Sequence, residues 1–152
     1  MRRGLEGRRE RERRRLMPDR FSAFSFVDRI TELEDGQRAR GRFAIPAGLP
    51  GFSTCLVVEA VGQLAAWVAM AQAKFRRRPL AALSRETRIV GEAAPGQILD
   101  LRVEIERCDP DAVVFGGWAR VADTPVVELR RCVGPMLPLE DFDAPERSEE
   151  HT

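Results

Sequence analysis

Residues 55–73 read CLVVEAVGQLAAWVAMAQA, with Glu59 as the one charge and no proline. Apolar residues on nearly every side of the helical wheel predict one helix over 53–75 that other parts of the protein must enclose. Ser53 or Thr54 can cap its first turn by accepting a backbone N–H. Lys74, Arg76, Arg77 and Arg78 crowd its far end, where cations suit the negative pole of the helix dipole. The run is about as long as the ~20 residues that a bilayer crossing needs. Strands follow it directly, however, and the small residues Ala60, Gly62, Ala65, Ala66 and Ala69 suit close packing on a sheet. A helix buried in a soluble protein is therefore expected, with no membrane span.

On either side of the helix the apolar period shifts toward 2. Residues 26–34 (FVDRITELE) and 38–45 (RARGRFAI) flank turn-forming residues and predict a hairpin. Residues 46–52 (PAGLPGF) hold two prolines and two glycines, a shaped loop that is neither helix nor central strand. It is either a plain tight connection or a place where backbone N–H groups around Gly48 and Gly51 meet a ligand oxygen. After the helix, 83–90 reads as a strand and GEAAPG (91–96) as a turn. In 97–107, Leu99, Leu101, Val103 and Ile105 alternate with Asp100, Arg102, Glu104 and Glu106, the pattern of a half-buried strand. Residues 113–121 (VVFGGWARV) make the next strand, with Gly116 and Gly117 allowing a bulge or a close backbone approach. Residues 126–133 complete an antiparallel meander, and the chain is expected to leave the sheet at Gly134. The sum is an α+β fold, one long helix wrapped by a curved antiparallel sheet of about five or six strands. Its exposed edges suggest a dimer with two sheets joined edge to edge.

A chain of 152 residues supports one such domain. It divides into a basic extension at 1–16, a globular part at 17–134 and an acidic, proline-containing tail at 135–152. The extension, with eight arginines against three glutamates over residues 1–17, has no apolar face and is expected to be disordered. A net charge of +1 carries no nucleic-acid footprint. Three widely spaced cysteines without a CxxC pair argue for reduced thiols in a cytoplasmic protein. The single histidine, His151, lies in the tail, which removes most histidine-based metal or catalytic sites from the core; no metal or cofactor is expected.

Candidate chemistry lies in the helix. Glu59 and Gln63 are four apart and share a face. A carboxyl held among apolar side chains has its charged form disfavoured, so it keeps a proton to donate. Cys55, in the helix's first turn, is the other candidate nucleophile, with no histidine near it to act as base.

Three stretches together resemble a known family: FVDRITELEDGQRARGRF, CLVVEAVGQLAAW, and the strand run from ALSRETRIV to VVELRRC. They are similar to the hotdog-fold 3-hydroxyacyl-(acyl carrier protein) dehydratases of type II fatty acid synthesis, over roughly residues 21–133. The resemblance implies a helix inside a curved sheet and a dimer, or a higher oligomer, with acyl tunnels at its interface. It implies 3-hydroxyacyl or enoyl thioesters of acyl carrier protein or CoA as substrates. Trp67 and Met70 are read as core, or as the lining of an acyl tunnel, and Lys74, Arg76, Arg77 and Arg78 either as a solvated helix end or as a landing place for an acidic carrier protein. The resemblance assigns Glu59 as the acid that protonates the departing hydroxyl and Gln63 as the neighbouring amide; Gly48 and Gly51 of the loop and Cys55 of the first helical turn are, with Gln63, the candidate substrate-binding residues. The family's base is a histidine in a His-Phe-Pro-Gly loop. Here that loop reads FAIPAGLPGFST, with Ile45 or a neighbour in the histidine's place. The chain is then a dehydratase-like subunit whose histidine comes from a hotdog partner, a thioesterase using Glu59, or a binding dimer without chemistry.

Overall fold

The computed structural model describes residues 25–34, 37–80 and 83–141. The chain runs β1 (Arg29–Glu34), β2 (Arg38–Ala44), α1 (Thr54–Gln72), β3 (Arg77–Pro79), β4 (Leu83–Ile89), β5 (Ile98–Cys108), β6 (Ala112–Val121) and β7 (Thr124–Pro138), then a 3-10 turn at Leu139–Asp141. The strands form one antiparallel sheet in the order β1-β2-β5-β6-β7-β3, with β4 also on β7. β3 and β4 pair with successive stretches of the same edge of β7, Pro79 opposite Met136 and Leu83 opposite Val133. The basic extension and the end of the acidic tail lie outside the described residues.

The alternation read in the sequence sets the inner face of this sheet. Leu99, Leu101 and Val103 on β5 point inward and are fully buried, as are Ala39 on β2, Val113 and Ala119 on β6, and Val127 on β7. Against them lies one stripe of α1: Val57, Ala60, Val61, Leu64, Ala65, Val68 and Ala69. The spacing of three and four residues puts these side chains on one face of the helix. Each fully buried Val or Leu is worth about 1.5–3 kcal/mol relative to exposure. The helix comes close because two facing positions carry no side chain. A Cβ on Gly117 would meet the Arg102 carbonyl and lie 2.8 Å from Val61 Cγ1; one on Gly41 would lie 3.3 Å from Leu64 Cδ1.

Four expectations are corrected. The helix is not enclosed on all sides: the sheet covers one face, while Leu56 and Trp67 stand exposed on the other, so Trp67 is not a core residue of this chain. The helix, long and apolar enough by composition to cross a membrane, is thus packed on a sheet along one side only. It also ends earlier than expected. Phe75 N–H donates to the Met70 carbonyl at 2.8 Å and Lys74 N–H to Ala71 at 3.1 Å, with both residues left-handed at φ 57° and 53°. That is a Schellman closure, and it leaves the last turn with no basic residue. Arg77 and Arg78, expected at the helix end, belong to β3, a strand that the sequence pattern did not reveal. Finally, β7 continues through Gly134 to Pro138, because Met136 N–H finds the Asp111 carbonyl and β3 pairs beyond it.

The β5–β6 turn is tied by Asp109, whose carboxylate accepts from the amides of Asp111 (2.9 Å) and Ala112 (3.0 Å) and from Arg107 Nε (2.7 Å). These bonds, the Asp111 amide foremost, hold its pKa below the usual carboxylate value. A depressed folded pKa means that the turn's contribution is present above the unfolded pKa and is lost as pH falls through the folded one. Thermal melts from pH 7 to pH 2 should therefore show a smaller acid-induced decline for Asp109→Asn than for the native chain. Gly117→Ala should lower stability by about 1–3 kcal/mol through overpacking. Gly62→Ala, with nothing within 4 Å of the new methyl, should raise it by about 0.5–1 kcal/mol as a helical glycine replaced. Equal melting shifts for the two alanine variants would contradict this packing.

Candidate active site

Strand β2 delivers the chain to the start of the helix. Beyond Ala44, Ile45 is drawn inward to 2% exposure. Its N–H donates to the Gln97 carbonyl and its own carbonyl accepts from Gly96 N–H, each at 2.9 Å. Both backbone groups and the side chain of this position are thus committed to the fold. The loop 46–52 then crosses to Ser53, the N-cap, whose hydroxyl oxygen accepts from Cys55 N–H at 3.2 Å. Phe52 from the loop, Phe43 from β2 and Phe26 from the segment before β1 form a cluster with ring centroids 5.5–5.9 Å apart. Two of the three contacts are edge-to-face, the arrangement favoured by the ring quadrupoles. This cluster braces the helix entry.

From that entry, Cys55, Glu59 and Gln63 follow at four-residue spacing along one flank of α1. Gln63 acts as a two-handed clamp. Its Oε1 accepts from Phe26 N–H at 2.7 Å, and its Nε2 donates to Glu59 Oε1 at 3.3 Å. The helix is thereby tied to the segment before β1, and the Glu59 carboxylate is steered by an amide that is itself fixed. The Phe26 amide is not legible in the sequence, since nothing in a linear pattern brings residues 26 and 63 together.

Glu59 itself is exposed, as is Cys55. The expectation of a carboxyl buried among apolar side chains is therefore corrected for the single chain: Glu59 lies on the face of α1 that the sheet does not cover. Gly48 and Gly51 are exposed too, with open space where a side chain would stand. The fold brings Glu59 and Gln63 into contact, sets Cys55 one turn before them, and leaves both glycines in the loop that precedes the cap. Among the described residues no group of three or more His, Cys, Asp or Glu could hold a metal ion.

One helix lying in a curled antiparallel sheet defines the hotdog fold, and solved structures agree. The fluoroacetyl-CoA thioesterase FlK superposes with a TM-score of 0.59 at 16% identity, covering 78% of this chain and 98% of that one. The thioesterase-like protein yhdA from Lactococcus lactis gives 0.65 at 8% identity, covering 80% and 99%. A chain of the dehydratase heterocomplex ApeI:P from Xenorhabdus doucetiae gives 0.60 at 12%, covering 80% and 90%. No protein-family profile matches the chain. In sequence it is 33% identical over 111 residues to the 3-hydroxyacyl-(acyl-carrier-protein) dehydratase FabZ of Macrococcus caseolyticus, covering 63% of this chain and 73% of that protein. The chain belongs to this dehydratase family.

The clamp makes a direct prediction. Gln63→Leu leaves the Phe26 N–H without its acceptor, so the chain should lose about 1–3 kcal/mol, the cost of an unsatisfied amide. Chemical denaturation checks it, and an unchanged midpoint would contradict the clamp.

Proposed function

We propose that the chain is an incomplete dehydratase subunit. It binds 3-hydroxyacyl or enoyl thioesters of acyl carrier protein or CoA and supplies Glu59 as the general acid, while a histidine-bearing hotdog partner supplies the base. The observation that carries this reading is Ile45. At or beside the place of the family's histidine stands an apolar side chain sunk in the core with both backbone groups bonded. The sequence's one histidine, His151, lies far along the chain in the tail.

In the reaction, the partner's imidazole takes the C2 proton of the 3-hydroxyacyl thioester, and electron density moves toward the thioester carbonyl. The C3–O bond breaks as Glu59 gives its proton to the departing hydroxyl, releasing water and an enoyl thioester. Gln63 holds the Glu59 carboxyl in one orientation, and orientation is a large part of such catalysis. N–H groups of the 46–52 loop and the first turn of α1 suit the carbonyl's growing negative charge. A subunit laid over the open helix face would exclude water from the site around Glu59. The exposed apolar residues of that face, and Ile89 and Val90 exposed at and just past the end of β4, support such a pairing. The dehydratase heterocomplex among the fold's neighbours supports a heteromeric arrangement, and the three free cysteines a reducing, cytoplasmic setting.

Thioester hydrolysis is the second reading. It is favoured by the exposure of Glu59, where a carboxylate can activate water, and by thioesterases among the structural neighbours.

One experiment separates the readings. The purified chain is assayed on 3-hydroxybutyryl and crotonyl thioesters, alone and co-expressed with a FabZ-type dehydratase whose own helix carboxylate is replaced by alanine. The expected outcome is silence alone and recovered turnover in the mixture, lost again with Glu59→Gln by about 10²-fold or more. Dehydration by the chain alone would overturn the incomplete-subunit reading. Thiol release by the chain alone, lost in Glu59→Gln, would establish the second.

A further inference from the structure

A second concavity lies away from Glu59. It is a groove of about 580 Å³ lined by Leu83, Ser84, Arg85, Glu106, Arg107, Val114, Arg131 and Val133. Arg107 pairs with Val114, Val114 with Val133 and Val133 with Leu83, one row across β5, β6, β7 and β4. Paired residues share a face of the sheet. The next row, Phe115, Cys132 and Ser84, includes the buried Phe115 and Cys132, so the groove row lies on the face turned away from the helix.

Two irregularities of the sheet build this groove. Between Ile105 and Arg107 the register of β5 against β6 slips, leaving Glu106 as an extra residue. Between Phe115 and Gly117 it slips again, so that Arg130 and Arg131 of β7 share the place opposite Gly116, with Arg131 left-handed at φ 48°. Bulges re-aim side chains, and both slips carry a cavity-lining residue. Arg131 falls beside Arg85 across the β4–β7 ladder, about 4.8 Å away in strand spacing. Like charges placed opposite each other destabilise a sheet. Among the described residues neither arginine has an ion-pair partner within 4 Å, whereas Arg107 is held by Asp109 and Arg130 by Glu86. A strained bulge, two guanidiniums with no ion pair within 4 Å among the described residues, the Glu106 carboxylate and an apolar floor thus converge on one groove.

We propose that this groove is a second ligand site, for an anion with an apolar body of the class of a medium-length alkyl carboxylate. The carboxylate sits between Arg85 and Arg131, which can grip it with paired N–H donors, and the alkyl part lies across Val133, Val114 and Leu83. This goes beyond the Glu59 chemistry and does not depend on it. The test is calorimetric titration of the full chain with sodium octanoate, 1-octanol and inorganic phosphate. Octanoate should bind once per chain and more tightly than either control, because it alone uses both halves of the groove. The double variant Arg85→Gln, Arg131→Gln should weaken octanoate roughly tenfold or more, and Arg131→Lys should retain most of the binding. Val114→Glu should abolish it by placing a like charge on the floor. Glu59→Gln should leave it unchanged. Octanol binding as tightly as octanoate, or binding that is lost in Glu59→Gln and untouched by the groove variants, would overturn the site. Unchanged melting of Arg85→Gln alone, an exposed edge position, keeps the charge comparison free of folding defects.

Discussion

The close approach of α1 to the sheet is the contact on which everything else rests. Val61 and Leu64 can reach the plane of the strands because Gly117 and Gly41 leave room there. With a methyl at Gly117 the helix would have to lift, and the buried stripe from Val57 to Ala69 would lose part of its dispersion contact at once. The position of the helix in turn fixes that of Glu59 and Gln63, since they lie on the same rigid rod. Gln63 closes the circuit by bonding the Phe26 amide, so the loop side of the helix is held by a polar tie and the sheet side by apolar packing.

Much of this was legible in the sequence for a simple reason: alternation at period 2 and a stripe at period 3.6 are one-dimensional traces of a surface with one buried side. β5 is the clearest case, since the alternation points Leu99, Leu101 and Val103 inward and all three are buried. Ser53 as cap was legible because a hydroxyl before an apolar run has a local task. The helix end was not. Lys74 and Arg76–Arg78 read as cations at a dipole, but a Schellman closure uses backbone bonds and a left-handed lysine, and it outranked the charge pattern. β3 has no alternation to show; it is a strand because β7 offers it partners. β7 runs past Pro135 because that residue's carbonyl still accepts from Leu80 while its missing N–H is not called upon.

The site divides along the same line. Glu59 and Gln63 were readable from spacing alone, and their contact is local. The Phe26 tie, across 37 residues, and the groove formed by two register slips are tertiary facts with no sequence period of their own. The exposure of Glu59 is not legible in the sequence, because an all-round apolar helix states only that both faces suit cover, not which chain provides it.

That last point carries a physical consequence. The sheet satisfies one face of α1, and the second face keeps Leu56, Trp67 and Glu59 in the open. Exposed apolar surface of this kind lowers its free energy when covered, and a subunit covering it would dehydrate the carboxyl in the same step. Assembly and enclosure of the site would then be properties of one stripe of side chains. Ile45, ahead of the loop, is sunk in the core with both backbone groups bonded, so that position serves packing. Under the proposed function the chain lacks a base of its own, and the open face of the helix is where a partner subunit would lie.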